Sequence, residues 1–105
     1  MTTFDDRKNA FEAQFAHDAD LQFKVAARRD RLTGLWAAQK LGHVGDAADA
    51  YARSVVIADL EEAGDDDVVR KLMADLAALG VTEADVRAQL ALQSDEARRQ
   101  IIETL

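Results

Sequence analysis

The chain contains no cysteine and no proline, and only five of its 105 residues are glycine. Because cysteine is absent, disulfides and cysteine-ligated metal sites are excluded, which agrees with a reducing compartment. Because proline is absent and β-branched residues form no alternating run of useful length, we expect an all-α fold. A chain of this length has room for one domain with a single core.

Positive charge is also scarce, since 13 lysines and arginines stand against 20 aspartates and glutamates, giving a formal net charge of −7. Nucleic acid is therefore excluded as a main partner, because neutralising phosphates requires a basic face. No apolar run approaches the length of a membrane span, and the acidic N-terminal region lacks the apolar core of a signal peptide. We expect a cytoplasmic protein that is not inserted in a membrane.

Residues suited to catalysis or metal binding are few. The two histidines, His17 and His43, have no cysteine companions and no metalloprotease spacing. No glycine-rich loop leads to a Lys-Ser or Lys-Thr pair, so a P-loop is excluded. The consecutive aspartates at 65–67 lack the central glycine and distal glutamate of a calcium loop. We therefore expect neither an enzyme nor a metal site.

What the chain does contain is an aromatic stripe near its N-terminus. Phe4, Phe11 and Phe15 are three of the four phenylalanines, and their spacing of seven and four residues places them on one face of a helix. The apolar seam breaks at His17-Asp18-Ala19-Asp20 and resumes along a segment whose pattern predicts helix to Gly42. Such a stripe is typical of core packing and also of an arm that docks into a partner's groove.

The sequence divides at this polar break. We predict an N-terminal arm of residues 1–19, mobile or helical in the free protein, and a bundle of four helices over residues 20–105. The predicted fold is thus a small four-helix bundle with an amphipathic N-terminal extension. The predicted helix starts are Thr3, Asp46, Asp65 and the capping-box variant Thr82-x-x-Asp85, and the predicted stops are Gly42, Gly64 and Gly80.

Two residues inside the predicted helices invite an interpretation of their own. Gly34 lies in a helix interior, where glycine costs about 1 kcal/mol against alanine, so it indicates that another helix approaches closely. Asp59 falls on the inner face of its helix. We expect it to be solvated near the helix end, with Arg29 as the candidate partner if it is buried.

Several segments of the sequence resemble one protein family. The stretch Arg28–Gly42 (RRDRLTGLWAAQKLG), the opening Met1–Arg7 (MTTFDDR) and the segment Phe11–Asp18 (FEAQFAHD) are similar to the zeta subunit of alphaproteobacterial F-type ATP synthases. Tyr51-Ala52 and Asp59–Gly64 (DLEEAG) continue the match. The resemblance extends over the whole chain, very closely through Gly42 and more loosely in the last helix.

The resemblance implies an inhibitor that blocks ATP hydrolysis by the catalytic head of the synthase while leaving synthesis largely free. It implies that the N-terminal segment inserts at an α/β catalytic interface near the central stalk, so the partners are the α, β and γ subunits. Such a protein is cytoplasmic and peripheral at the inner membrane through the synthase. The resemblance implies no cofactor, and ADP or ATP is the one regulatory ligand that it suggests.

The first helix suits such a role. Its aromatic stripe can fill apolar contacts in a cleft while neighbouring charges set its orientation. The candidate partner-binding residues are Phe4, Arg7, Lys8, Phe11, Glu12 and Phe15. A second face carries Lys24, Arg28 and Arg31, which are candidates for contacting nucleotide phosphate or an acidic partner surface. A solvated basic face that pairs with Asp20 and Asp30 explains those three cations equally well.

Two other functions stay open on the sequence alone. The first is an acidic helical adaptor in which the aromatic stripe is an ordinary packing surface. The second is a bundle that senses adenine nucleotide.

Overall fold

Five α-helices account for most of the chain in the computed structural model, which describes residues 2–60 and 64–105. They are α1 (Thr3–Phe15), α2 (Ala19–Leu41), α3 (Gly45–Asp59), α4 (Asp66–Leu76) and α5 (Glu83–Glu103), and a short 3₁₀ turn, Ala77–Leu79, follows α4. The described residues contain no strand, and the prediction of an all-α fold is confirmed.

Side-chain caps fix where three of the helices begin. Reciprocal capping boxes open α1 and α5, formed by Thr2 with Asp5 and by Thr82 with Asp85. The box at Thr82 is confirmed, whereas the predicted cap at Thr3 is wrong by one residue. Asp18 caps α2 by accepting a hydrogen bond from the N–H of Leu21 at 3.0 Å.

The other two predicted caps need correction. Val44 precedes α3 without any side-chain cap, and Asp46 lies within the first turn of that helix. Asp65 does stand at the start of α4, but its carboxylate makes no cap hydrogen bond there. It turns instead to Arg29, 2.9 Å from Oδ1 to Nη1.

The predicted glycine stops agree with the structure in two places. Gly42 ends α2 in the left-handed conformation, with φ of 82°, and its N–H reaches back to the carbonyl groups of the last turn. Gly80 does the same after the 3₁₀ turn, with φ of 75°. The expected stop at Gly64 adjoins residues 61–63, which lie outside the described residues, and α3 itself ends at Asp59.

Two apolar clusters hold the helices together. The larger is built from α2 to α5, and its fully or nearly fully buried members are Ala37, Val55, Val68, Val69, Leu72, Leu76, Val86 and Leu90. The smaller joins α1 to α2 and α5, with buried members Phe11, Leu21, Val25, Ala97, Ile101 and Ile102. The N-terminal helix is therefore docked on the bundle rather than extended away from it. No described helix is long and apolar enough to cross a membrane.

Gly34 confirms the predicted close approach of two helices. A Cβ atom placed on Gly34 would lie 2.7 Å from the Cα of Ala52 in α3, which is closer than real Cβ contacts. The absence of a side chain thus sets the distance between α2 and α3.

Candidate functional site

The six candidate residues of the arm face the chain's own last helix. Phe4, Lys8, Phe11 and Glu12 line a cleft of about 240 Å³ whose opposite wall belongs to α5. The α5 residues in this wall are Asp95, Arg98, Arg99 and Ile102. Arg7 also points to α5, donating from Nη1 to the carbonyl oxygen of Glu103 at 3.4 Å.

Phe11 is the anchor of α1. It is 1% exposed and packs in the smaller apolar cluster between α2 and α5. Its ring stacks on that of Phe15, with centroids 5.3 Å apart and an angle of 24° between the planes. The guanidinium carbon of Arg98 lies 4.5 Å from the centroid of the Phe15 ring, in cation–π geometry.

The rest of α1 is held weakly. Of its 13 residues only Phe11 is buried, and Phe4 is 38% exposed. The three rings therefore differ, since Phe11 is enclosed by the chain's own helices, Phe15 is half-buried and Phe4 is a little over one third exposed. A single buried side chain is a small attachment for a helix of this length.

The three cations of the second predicted face converge on one groove. Lys24, Arg28 and Arg31 line an open groove of about 570 Å³, here called the basic groove. Its other lining residues are Phe23, Ala27, Val56, Ile101 and Thr104, from α2, α3 and the end of α5. The structure thus brings together all three residues that the sequence singled out.

Within the described residues, these cations do not pair with Asp20 or Asp30. Arg31 forms a half-exposed ion pair with Asp49, with 3.5 Å between Nη2 and Oδ1. Arg28 donates to the neutral side chain of Gln100 at 3.3 Å.

The most buried charges surround Arg29, and sequence reasoning found only part of this cluster. The guanidinium donates to Asp30 Oδ1 from Nε at 3.0 Å and from Nη2 at 2.9 Å. It also contacts Asp59 Oδ2 at 3.2 Å and Asp65 Oδ1 at 2.9 Å. The expectation that Asp59 is solvated is wrong, and the alternative partner Arg29 is confirmed. We call these four residues the Arg29 cluster.

The Arg29 cluster ties three elements together, because it links α2 to the end of α3 and to the start of α4. Asp30 is 1% exposed, although it is a carboxylate. A sequence signal for this was present, since Asp30 shares a helical face with Thr33, Gly34 and Ala37, which are all buried against other helices. Among the described residues, no group of acidic or histidine side chains is placed to hold a metal ion.

Burial raises the pKa of Asp30 to about 8, helped by the nearby Asp59 carboxylate and opposed by Arg29. The ordinary pKa of an aspartate is 3.8, so the folded protein binds one more proton than the unfolded chain between those two values. The contribution of Asp30 to stability is thus complete below about pH 4 and is lost as the pH rises to about 8.

We expect Asp30→Asn to remove this pH dependence. Urea unfolding at pH 5.5 and pH 8.5 should show that the native chain loses stability relative to the variant at the higher pH, by at most about 1.4 kcal/mol per pH unit. Taking the difference between the two proteins cancels the contributions of the carboxylates that do not interact with Asp30. Parallel curves for both proteins would show that Asp30 stays ionised throughout this range.

The comparisons with known proteins agree with this architecture. A family model described as ATPase inhibitor subunit zeta matches residues 1–100. The chain belongs to the ATPase inhibitor subunit zeta family. As a zeta-family inhibitor subunit it acts on an enzyme and is not one itself, and its family membership implies inhibition of the F-type ATP synthase and binding to it.

A solved structure also matches. Entitled "Solution NMR structure of the protein", it is 48% identical in sequence with a TM-score of 0.74. The match covers 81% of this chain and 99% of that one. None of the curated proteins matches the chain.

Proposed function

We propose that this zeta-family chain blocks ATP hydrolysis by inserting α1 at an α/β catalytic interface of the synthase head, close to the γ subunit. The observation that carries the proposal is that, of the three phenylalanines on α1, only Phe11 is fully buried against the bundle. Helices that dock into a partner's groove present apolar anchors at this kind of spacing. Residues 1–19 then form the inhibitory arm, and residues 20–105 form the bundle that stays outside the interface.

The arm must leave its own bundle before Phe11 can contact a partner. Burying a phenylalanine side chain stabilises by about 1.5–3 kcal/mol. A difference of about 1.4 kcal/mol corresponds to a tenfold ratio, so the burial of Phe11 alone favours the docked arm over the released arm by roughly ten- to a hundredfold. The apparent affinity for the synthase falls by at least this factor. Buried aromatic anchors at an interface contribute about 2 kcal/mol or more each, which is enough to offset this cost.

Once released, the arm inhibits by occupying the interface and does not itself take part in a chemical reaction. Its phenylalanines fill the interface, and Arg7, Lys8 and Glu12 orient it by charge. An interface that has to open and close during rotation is stalled by such an insert. Inhibition in one direction follows if rotation towards hydrolysis tightens the interface around the arm and rotation towards synthesis expels it.

The direct test is ATP hydrolysis by the purified cognate synthase head, titrated with this protein. We expect the triple variant Phe4→Ala, Phe11→Ala, Phe15→Ala to raise the half-inhibitory concentration by about a hundredfold or more, because it removes three anchors. Asn9→Ala is the matched control, since Asn9 lies on α1 outside the six candidate residues. Undiminished inhibition by the triple variant would exclude the arm as the inhibitory element.

A second variant separates release of the arm from its binding. Ile102→Ala removes part of the seat of Phe11 on α5 and leaves every residue of the arm unchanged. If the released arm is the active form, the half-inhibitory concentration should fall several-fold, provided that circular dichroism shows a folded bundle. A rise instead would indicate that the docked arrangement is the one that binds.

The two alternative functions make different predictions. In the acidic adaptor the aromatic stripe is an ordinary packing surface, and the burial of Phe11 agrees with that alternative. An adaptor of this kind predicts no inhibition of ATP hydrolysis. Nucleotide sensing is supported by the convergence of Lys24, Arg28 and Arg31 on the basic groove. It predicts that ATP or ADP alone binds the isolated protein there.

A further inference from the structure

The basic groove is a region of concentrated positive charge on an acidic protein. The chain carries a net charge of −7, yet none of the eight described residues that line this groove is acidic. Within the part of the chain that the structure describes, Lys24 forms no direct hydrogen bond or ion pair, although its charge acts on Asp18 from a greater distance, and Arg28 donates to a neutral amide. Arg31 has one half-exposed carboxylate at 3.5 Å. Among the described residues, the positive charge in the groove is therefore only partly offset by carboxylates, and both of these lie outside the groove lining.

The floor of the basic groove is apolar. Phe23 is 54% exposed, which is unusual for a phenylalanine in a helix that packs on both sides. Val56 and Ile101 line the groove from α3 and α5. A ligand for this groove must therefore cover apolar surface and also present negative charge.

We propose that the basic groove binds an acidic amphipathic helical segment of the synthase head. This inference rests on the proposed function, because it takes the head as the partner. It identifies the surface through which the bundle binds the head while α1 is inserted at the catalytic interface. Positive charge in the groove and negative charge on the segment steer the encounter and fix its register. The exposed apolar floor supplies the contact area.

The spacing of the cations favours a helix over a compact anion. Lys24, Arg28 and Arg31 are four and three residues apart, so they form one row that extends about 10 Å along α2. A helix with carboxylates at the same intervals can meet each cation in turn. Phosphate sites instead gather donors around one point, usually at a helix N-terminus or in a nest of backbone N–H groups. The lining residues here lie in the interiors of α2 and α3 and at the C-terminal end of α5.

The test compares two double variants of the full chain. Lys24→Gln with Arg28→Gln removes two charges from the groove. Lys40→Gln with Arg87→Gln removes two exposed charges elsewhere and is the control matched in net charge. We expect the groove variant to bind the synthase head about tenfold more weakly, with a flatter dependence of affinity on salt, while the control binds like the native protein. Maximal inhibition at saturation should be retained, because the arm is unchanged.

Failure of this inference is distinguishable from failure of the proposed function. If the native protein inhibits and both double variants bind equally well, the groove is not the docking site. If the native protein does not bind the head, the proposed function fails. Whether the basic groove binds an acidic helix is then tested by NMR, with a synthetic helical peptide that carries Glu and Leu at helical spacing. Shifts of the amide signals of residues 23–31 and 101–104 with that peptide support an acidic-segment site. No such shifts, or shifts with ATP alone, overturn it.

Discussion

Replacing Arg29 with alanine is expected to lower the free energy of unfolding by about 3–5 kcal/mol. Arg29 contacts three carboxylates, and one of them, Asp30, is almost completely buried. Removing it leaves the buried carboxyl groups of Asp30 and Asp59 close together, without the cation that balances Asp59 and without the guanidinium that donates to Asp30. For a chain of this size the midpoint of thermal unfolding should fall by roughly 15 °C or more.

Two further variants show whether the loss comes from unpaired charge. Arg53→Ala removes an exposed arginine from α3 and should change stability by about 0.5 kcal/mol or less. Arg29→Met combined with Asp30→Leu replaces the buried pair by apolar side chains and should recover much of the loss. If the double variant is no more stable than Arg29→Ala, the loss does not come from leaving the Asp30 carboxyl group without its partner.

The features that sequence predicted best are those decided within a few residues. The capping box at Thr82, the left-handed end of α2 at Gly42 and the all-α fold depend on local hydrogen bonds, on backbone conformation and on helical periodicity. The close approach of another helix at Gly34 could also be predicted, because a glycine in a long helix costs stability unless a neighbouring helix needs the space. Such features need no knowledge of which helix lies beside which.

The Arg29 cluster shows where that reasoning stops. Its members come from α2, from the end of α3 and from the turn before α4, so their meeting depends on the packing of three elements. The sequence offered Arg29 as a partner for Asp59 but favoured solvation, since most carboxylates near helix ends are exposed. It also assigned Asp65 to a helix cap, although the arginine across the interface competes successfully for that carboxylate.

The site depends on the same kind of long-range information. The stripe of Phe4, Phe11 and Phe15 is evident from spacing, but spacing cannot say whose surface the rings meet. The structure packs Phe11 against α2 and α5 of its own chain, whereas the proposed function requires it at an interface of the synthase. The two arrangements are compatible if α1 exchanges its contacts with the bundle for contacts with the synthase. This exchange is easier because Phe11 is the single fully buried residue of α1.

The second large effect is expected at Gly34, where a leucine should cost about 3 kcal/mol or more. The nearest atom to an added Cβ is the Cα of Ala52, at 2.7 Å, and the Cγ2 of Val55 follows at 3.2 Å. Backbone cannot rotate out of the way as a side chain can, so α2 and α3 must separate. Leucine is a good helix former, so the loss cannot be ascribed to the propensity of α2 itself.

The control for Gly34→Leu is Ala47→Leu, which adds a leucine to an exposed position of α3 and should leave the thermal midpoint almost unchanged. Chemical denaturation of both variants measures the difference. Separation of α2 from α3 would also admit water to Asp30, which lies one turn before Gly34 on the same face, and would lower the pKa of that carboxyl towards its ordinary value. Gly34→Leu should therefore be less stable than the native chain and also less sensitive to pH between 5.5 and 8.5. A variant that kept the native stability would mean that α3 yields locally, and that Gly34 does not set the distance between the two helices.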